Sequence, residues 1–433
     1  MSSTAHDHLT PAAHPLKVAI LGFGTVGSAV ARILSEQTAD FPLRLTHVFN
    51  RNVERKRADW AGSDVVWTSD VDEVLNSGAD ILCELVGGIY PAHAWVTTAL
   101  ESGKSVVTAN KKLIAQYGPR LSELAAQYGG SLAFGASVAG GVPVIDALQE
   151  GLAGDQLHKV CGILNGTCNF ILTKLEKEGL SFAEALKQAQ EAGFAEADPT
   201  DDVDGFDARS KLVILTRIGL KAIAQPEEVF CGSIRSLDAV DFIYAHELGC
   251  TIRQISRAER KNGEISASVR PALVPIESQM ANITGSLNLV LSTGKFGGQT
   301  AFSGHGAGGH STAVAVVSDL LDIARLHSGK NVRPTPTADV LPVTNHFCDK
   351  QYLRFTVKDR PGIVAAIATA MAKHGINIDA LLQKPGFDKD ALPFVVTLEP
   401  CSTAQLEAAL ADIRTFDFLV HEPLSMPILT KEL

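Results

Sequence analysis

A short β-type run, Lys17-Val-Ala-Ile-Leu21, ends in Gly22-Phe23-Gly24-Thr25-Val26-Gly27, and helical periodicity follows through Val26, Val30, Ile33 and Leu34. A strand, a glycine turn and an amphipathic helix in that order restrict the start of the chain more than any other feature. In G-x-G-x-x-G the first glycine permits a tight turn, the second lets a pyrophosphate approach the backbone, and the third allows close helix–strand packing. The N–H groups and positive dipole end of the helix N-terminus suit a phosphate. A bland structural turn is the alternative for a lone motif; the strand before it and the helix after it favour dinucleotide binding.

The pattern continues. Strands are predicted over 43–49, 81–86 and 106–108, with a helix over 95–100, and this alternation implies an α/β fold built on a doubly wound parallel sheet. The middle third reads as α+β: helices over 137–152 and 165–192, an acidic loop, a helix from about Asp207, and strand-like runs near 251–258, 265–269 and 286–293. A Gly-rich stretch at 304–309 precedes an apolar helix over 313–321. Prolines and lost periodicity then mark a linker. From Tyr352 a separate βαββαβ unit is expected, with the turn Asp359-Arg360-Pro361-Gly362 after its first strand. The expected divisions are a flexible tail at 1–15, a nucleotide-binding domain at 16–145, a second domain at 146–330, a linker at 331–349 and a last domain at 350–433.

Composition excludes more than it identifies. A net charge of −10 argues against nucleic acid as a partner, because neutralising phosphates needs a basic face. No run of about 18 apolar residues suggests a membrane span. Residues 1–15 lack the apolar core of a secretory signal. The seven cysteines form no CxxC pair, so reduced thiols in a cytoplasmic protein are expected.

Cofactor choice turns on the end of the second strand, where an NAD site usually carries an acidic residue. Here Asn50 and Arg51 stand instead, with Arg55, Lys56 and Arg57 behind them. A guanidinium suits a 2′-phosphate, which favours NADP; NAD stays open, since a solvated basic face would look the same.

Glu196 to Lys211 contains six carboxylates in its first twelve residues. A calcium loop fails on paper: aligning Gly205 with the EF-hand glycine puts Lys211 where the bidentate glutamate belongs. Asp207 and Lys211, four apart, share a helix face that continues through Ile214, Leu215 and Ile218. An exposed pair would be worth only about 0.3–0.5 kcal/mol. A lysine leading an apolar stripe is instead expected to leave water, which lowers its pKa and makes it a usable proton donor. Lys111 lies just past the carboxyl end of a parallel strand, where ligands bind in such folds; a surface lysine beside Lys112 is the equal alternative.

These residues carry a resemblance. Ala189-x3-Gly193 through Asp198-Pro199-x2-Asp202-Val203-x-Gly205-x-Asp207-x3-Lys211 resembles the homoserine dehydrogenase signature, supported by Thr108-Ala-Asn-Lys111, Ser137-Val-Ala-Gly-Gly-Val-Pro143, Ile163-Leu-Asn-Gly-Thr-Cys-Asn169 and Gly304-x-Gly-Ala-Gly-Gly309. The resemblance implies a Rossmann-type domain, a catalytic and dimerisation domain whose 304–309 segment returns to the cofactor site, and NAD(P)-dependent, reversible reduction of L-aspartate 4-semialdehyde to L-homoserine in threonine, methionine and isoleucine biosynthesis. It implies Lys211 as proton donor, Asp207 holding that lysine and the substrate hydroxyl region, and Glu196, Asp202 and Thr167 around the substrate amino group. Lys111 would lie between nicotinamide and substrate. Gly22, Phe23, Gly24, Thr25, Val26, Gly27, Arg51, Lys111 and Gly308 would hold the cofactor. Family members often bind sodium through a glutamate and backbone carbonyls. The carbonyls of Val138, Gly140 and Val142 remain, but Gly135 stands at the glutamate position. The segment from Tyr352 resembles an ACT domain through Asp359-Arg-Pro-Gly-Ile363 and Gly375-Ile-Asn-Ile378, which implies an amino-acid effector, with threonine expected, and a homodimer or homotetramer.

Two rivals follow from the residues. A phosphorylating semialdehyde dehydrogenase needs an activated cysteine, for which Cys168 is the candidate. An amino-acid sensor would keep the fold without turnover.

Overall fold

The computed structural model describes residues 15–38, 40–327 and 338–430. Nearly all of the expected tail and residues 331–337 of the expected linker lie outside them. The chain forms two compact units, Met1–Ala153 with His305–Thr337, and Gly154–Gly304 with Ala338–Leu433.

In the first unit, β1 (Leu16–Leu21), α1 (Thr25–Ser35), β2 (Leu43–Phe49), β3 (Val66–Thr68), β4 (Ile81–Glu84), α2 (Ala92–Glu101), β5 (Ser105–Thr108), α3 (Lys111–Gln127) and β6 (Leu132–Ala133) follow one another. The strands lie in the order β3-β2-β1-β4-β5-β6, and every pairing is parallel. This is the doubly wound arrangement, with the order reversing beside β1. Parallel strands are covered on both faces and so read as continuous apolar runs. Val18 and Ile20 point into one core with Val30 and Leu34 of α1, while Ala19 and Leu21 point into another with Val96 and Leu113. The helix Gly309–His327 returns to this unit and adds Ala313, Val316 and Leu320 to the first core.

One expected helix does not form. Over 137–152 the chain makes a 3₁₀ turn at Gly135–Ser137, one helical turn at Val144–Asp146 and a π-type turn at Ala147–Gly151. Between them Ala139 and Gly140 take φ of 53° and 45°, and Pro143 follows. Left-handed backbone and a proline are incompatible with continuous helix.

The second unit contains β7 (Leu157–Ile163), α4 (Gly166–Glu178), α5 (Phe182–Glu191), α6 (Phe206–Leu220), α7 (Ala239–Glu247), β8 (Cys250–Lys261), β9 (Glu264–Pro275), β10 (Leu287–Gly294) and β11 (Gly298–His305). The helix expected over 165–192 is two helices. Gly179, at φ 63°, ends α4, and Ser181 and Glu184 form a capping box that starts α5. The C-terminal βαββαβ unit follows as β12 (Cys348–Val357), α8 (Ile363–Lys373), β13 (Ile378–Leu382), β14 (Leu392–Ser402), α9 (Thr403–Ile413) and β15 (Leu424–Ile428). Its core gathers Leu353, Phe355, Ile367, Met371, Phe394 and Leu410. The Asp359–Gly362 turn borders a cleft of about 450 Å³ lined also by Ile363, Gln383 and Phe394.

The two sheets of this unit are continuous, in the order β11-β10-β7-β8-β9-β15-β12-β14-β13. Leu273 of β9 pairs with Ile428 of β15, and the Leu429 N–H donates to the Leu273 carbonyl at 2.9 Å. A buried carboxylate reinforces the join. Asp241 of α7, fully buried, accepts from Tyr352 Oη at 2.9 Å and Arg354 Nε at 2.7 Å, while its other oxygen caps the Asp238 N–H. Burial pushes the Asp241 carboxyl above its ordinary range, with Arg354 pulling the other way.

Candidate active site and dinucleotide cradle

The phosphate turn is built by what its glycines exclude. A Cβ on Gly22, at φ 103°, would lie 2.8 Å from the Leu85 carbonyl oxygen, and one on Gly27 only 1.9 Å from the Gly22 carbonyl oxygen. A Cβ on Gly24 would meet no protein atom within 4 Å, so the turn leaves open the flank that a pyrophosphate needs. The residues fit the dinucleotide. Phe23 is buried edge-on against Trp67 at 4.8 Å. Thr25 and Val26 open α1, whose N-cap, Gly24, supplies no capping side chain. Gly309 abuts Thr25: a Cβ there would lie 2.8 Å from Thr25 Cγ2. Gly308 precedes it at φ 126°, so two helix N-termini converge on one spot. At the end of β2, Arg51 is exposed and Asn50 Oδ1 accepts the Asn52 N–H.

Lys111 is the first residue of α3, fixed by a chain of bonds that begins at a residue the sequence reading passed over. Glu84, fully buried at the end of β4, accepts the Val86 and Gly87 N–H groups and Thr108 Oγ1, the last at 2.6 Å. Thr108 Oγ1 accepts the Asn110 N–H, and Asn110 Oδ1 caps α3 through Leu113. An acidic residue closing an apolar strand was the available signal.

Lys211 and Asp207 lie in the second unit. Gly205, at φ 85°, starts α6, so Asp207 falls in its first turn, where the helix dipole favours a carboxylate. The Asp207 and Lys211 side chains are 6% and 10% exposed. Lys211 Nζ donates to Asp207 Oδ2 and to the Leu164 carbonyl, each at 2.7 Å. The pair is therefore buried, unlike the weak surface pair weighed above. Asn165 binds the acids together: Nδ2 donates to Asp202 Oδ1 at 2.6 Å and Asp207 Oδ2 at 2.8 Å, while Oδ1 caps α4 through the Cys168 N–H at 2.8 Å. Sequence reading missed Asn165, whose visible signal was only an N-cap residue type before a helix.

The acidic loop is tied down around this cluster. Thr167 Oγ1 donates to the Phe194 carbonyl at 2.8 Å, two residues before the exposed Glu196. Ser233 Oγ and Arg235 Nε donate to Asp204 Oδ1 at 2.6 and 2.9 Å, and the Ile234 N–H to the Val203 carbonyl. Burial alone would raise the Asp204 pKa, but the bonds from Arg235 and Ser233 hold it below its ordinary value. Thus Asn165, Thr167, Asp202, Asp207 and Lys211 share one neighbourhood, whereas Lys111 and the phosphate turn belong to the other unit.

Cys168 is no nucleophile. It is fully buried, its Sγ donates to the Asp202 carbonyl, and burial followed by the Asp202 and Asp207 charges pushes its pKa well up. A thiol kept protonated cannot attack.

At the position expected of a sodium ligand, the Gly135 N–H donates to Asp319 Oδ2 at 2.8 Å, and a Cβ on Gly135 would lie 2.8 Å from Asp319 Oδ1. The Val142 carbonyl already accepts the Val144 N–H at 2.7 Å. Among the described residues no group of three or more metal-ligating His, Cys, Asp or Glu side chains occurs, and no helix is long and apolar enough to cross a membrane.

Family models match three consecutive stretches: the NAD-binding domain of homoserine dehydrogenase at 22–135, homoserine dehydrogenase at 143–321 and the ACT domain at 351–417. The homoserine dehydrogenase of Neisseria gonorrhoeae is 34% identical over 95% of this chain and 98% of its own, and that of Mycobacterium tuberculosis 37% identical over 87% and 88%. Among solved structures, a homoserine dehydrogenase from Thiobacillus denitrificans superposes with a TM-score of 0.89 at 34% identity, covering 96% and 99% of the two chains. A hyperthermophilic archaeal homoserine dehydrogenase in complex with NADPH covers 72% of this chain and 98% of its own, at 28% identity and a TM-score of 0.62. With a dinucleotide cradle on a doubly wound sheet, a buried lysine–carboxylate cluster and a C-terminal ACT domain, the chain belongs to the homoserine dehydrogenase family of NAD(P)-dependent oxidoreductases.

Proposed function

We propose that this chain reduces L-aspartate 4-semialdehyde reversibly to L-homoserine, with Lys211 delivering the proton to the developing alkoxide. The observation that carries the assignment is the buried Lys211 ammonium, bonded at 2.7 Å to Asp207 and to the Leu164 carbonyl. A lysine anchored this way has a fixed position from which to donate at a carbonyl oxygen. The bound nicotinamide supplies the hydride in that direction. Asp207 steadies Lys211 and the hydroxyl region of the substrate. Glu196, Asp202 and Thr167 receive the substrate amino group, and Lys111 lies on the cofactor side.

Gly22, Phe23, Gly24, Thr25, Val26, Gly27 and Gly308 cradle the dinucleotide. Arg51 and the absence of a carboxylate at the end of β2 favour NADP over NAD. Sodium fits poorly at Val138, Gly140 and Val142. Residue 135 has no side chain to offer, Asp319 is engaged with its N–H, and one of the three carbonyls is already bonded. No step is assigned to a cation. The proposed divisions are residues 16–145 for cofactor binding, 146–330 for catalysis and dimerisation, with the 304–309 segment and the helix after it returning to the cofactor-binding unit, and 350–433 for regulation. Threonine is the effector proposed for the ACT domain, whose Asp359–Gly362 turn borders a cleft of about 450 Å³. A homodimer or homotetramer in the cytoplasm, serving threonine, methionine and isoleucine biosynthesis, completes the reading.

The test is NADPH oxidation with L-aspartate 4-semialdehyde, repeated with NADH and with threonine. Lys211→Met should bind NADPH normally and lose about 10²- to 10⁴-fold in kcat, the usual contribution of a positioned acid. A variant that keeps its rate refutes the role of Lys211. Wild-type protein that is folded, binds NADPH and turns nothing over would favour the sensor.

A further inference from the structure

We propose that the side-chain amide of Asn165 is a positioning residue for the proton transfer at Lys211, fixing the spacing and charge of the two carboxylates beside it. The proposal rests on the reading of Lys211 given above and deepens it.

An amide nitrogen carries two N–H donors and accepts nothing. In Asn165 both are spent on carboxylates, Asp202 Oδ1 at 2.6 Å and Asp207 Oδ2 at 2.8 Å. The amide cannot be turned over, since its oxygen would then face two carboxylates and lose the Cys168 N–H at 2.8 Å. The two acids are therefore no farther apart than these two bonds span. Carboxylates at that separation repel, and one ordinarily takes up a proton. A shared donor offsets the repulsion, because each N–H stabilises the negative charge on the oxygen it bonds. Asp207 Oδ2 accepts from Lys211 as well, so one oxygen is fixed between the amide and the ammonium. The neighbouring Leu164 carbonyl takes another Lys211 bond. Two consecutive residues before α4 thus hold the lysine and both acids.

Capping α4 does not require this arrangement. The cap uses Oδ1 alone, and Asp or Ser would supply it equally well. The donor pair is an additional property of asparagine, and this separates the positioning role from the structural one.

Asn165→Asp keeps size and cap but replaces the donor with a third carboxylate. In homoserine oxidation Lys211 must first lose its proton to act as base. Three carboxyls this close take up one proton near neutrality, and once that proton leaves on the alkaline side the added negative charge raises the lysine pKa by about one to three units. The rising limb of kcat/KM against pH should move up by that amount in Asn165→Asp, with NADP affinity unchanged. Asn165→Ser keeps the cap and loses the shared donor. It should fold and bind NADPH as wild type with some loss of Tm, since two carboxylates lose their shared donor, while kcat/KM for homoserine falls about tenfold or more, as expected for charge-assisted hydrogen bonds. A pH profile in Asn165→Asp that overlays wild type overturns the proposal. If that variant does not fold, Asn165→Ser decides alone: a kcat/KM close to wild type overturns the proposal and the stated loss supports it. Failure of the Lys211 assignment is seen separately, as a Lys211→Met enzyme that retains its rate whatever Asn165 does.

Discussion

Replacing Gly24 by alanine should leave the fold intact and damage only cofactor binding, whereas the same change three residues later at Gly27 should damage the fold itself. The difference comes from where each new methyl would sit. At Gly24 the backbone, with φ −90° and ψ −156°, is open to any residue, and the added carbon touches no protein atom. Alanine restricts the unfolded chain, worth about 0.4–1 kcal/mol of stability, and is a poorer N-cap than glycine by a similar amount. The two effects offset, and Tm should not move. The methyl instead occupies the flank through which a pyrophosphate approaches the α1 N–H groups. Losing one charge-assisted bond there, worth about 1.5–3 kcal/mol, weakens NADPH roughly ten- to hundredfold. At Gly27 the methyl would lie 1.9 Å from the Gly22 carbonyl oxygen, so the turn must open at a cost of about 1–3 kcal/mol or more. Titration of NADPH fluorescence and thermal unfolding of both variants give the comparison. Wild-type NADPH affinity in Gly24→Ala, or a Tm loss in that variant matching Gly27→Ala, would refute the assignment of this turn.

Cys168→Ser should retain most activity, and thiol reagents at mildly alkaline pH should modify the exposed Cys348 before Cys168; abolished turnover would restore the cysteine mechanism. Exchanging sodium chloride for choline chloride at equal ionic strength should change neither kcat nor Tm. A sodium-specific rise in Tm would show a cation site at Val138–Val142 after all. Asp204, whose folded pKa lies below the ordinary value near 3.9, stabilises the fold above that pH and loses the contribution as pH falls through its folded value. Asp204→Asn should therefore lower stability at neutral pH by about 1 kcal/mol or less and flatten the acid limb of the Tm profile, an outcome opposite to that of a carboxylate with a raised pKa.

The parts of the fold legible in the sequence were those set by a local pattern of few residues. The glycine turn, the apolar parallel strands and the C-terminal βαββαβ order are written in periodicity and in turn chemistry at adjacent positions. The helix expected over 137–152 fails because Ala139, a residue type with no preference for positive φ, takes a left-handed conformation imposed by its surroundings. The edge strand β11 carries alternating small and polar residues, a weak strand signal. In the candidate site, Asp207 and Lys211 were visible through their helical spacing. Asn165 and Glu84 were not, because their partners lie up to 42 positions away in the chain. A hydrogen-bonded hub has no sequence period.

The shared sheet at Leu273 and Ile428, with the Asp241–Arg354 bond beside it, bears on how regulation can be lost in evolution or by engineering. A stop codon ahead of β12 would do more than remove a sensor. It would strip a neighbour from β9, uncover the apolar face on which Tyr352, Val395 and Met426 pack, and take Tyr352 and Arg354 away from the Asp241 carboxylate. A sheet edge and apolar face uncovered in this way invite pairing between chains, so a form shortened ahead of β12 is expected to unfold at a lower temperature and to associate more readily than the full chain, which thermal unfolding and light scattering would show.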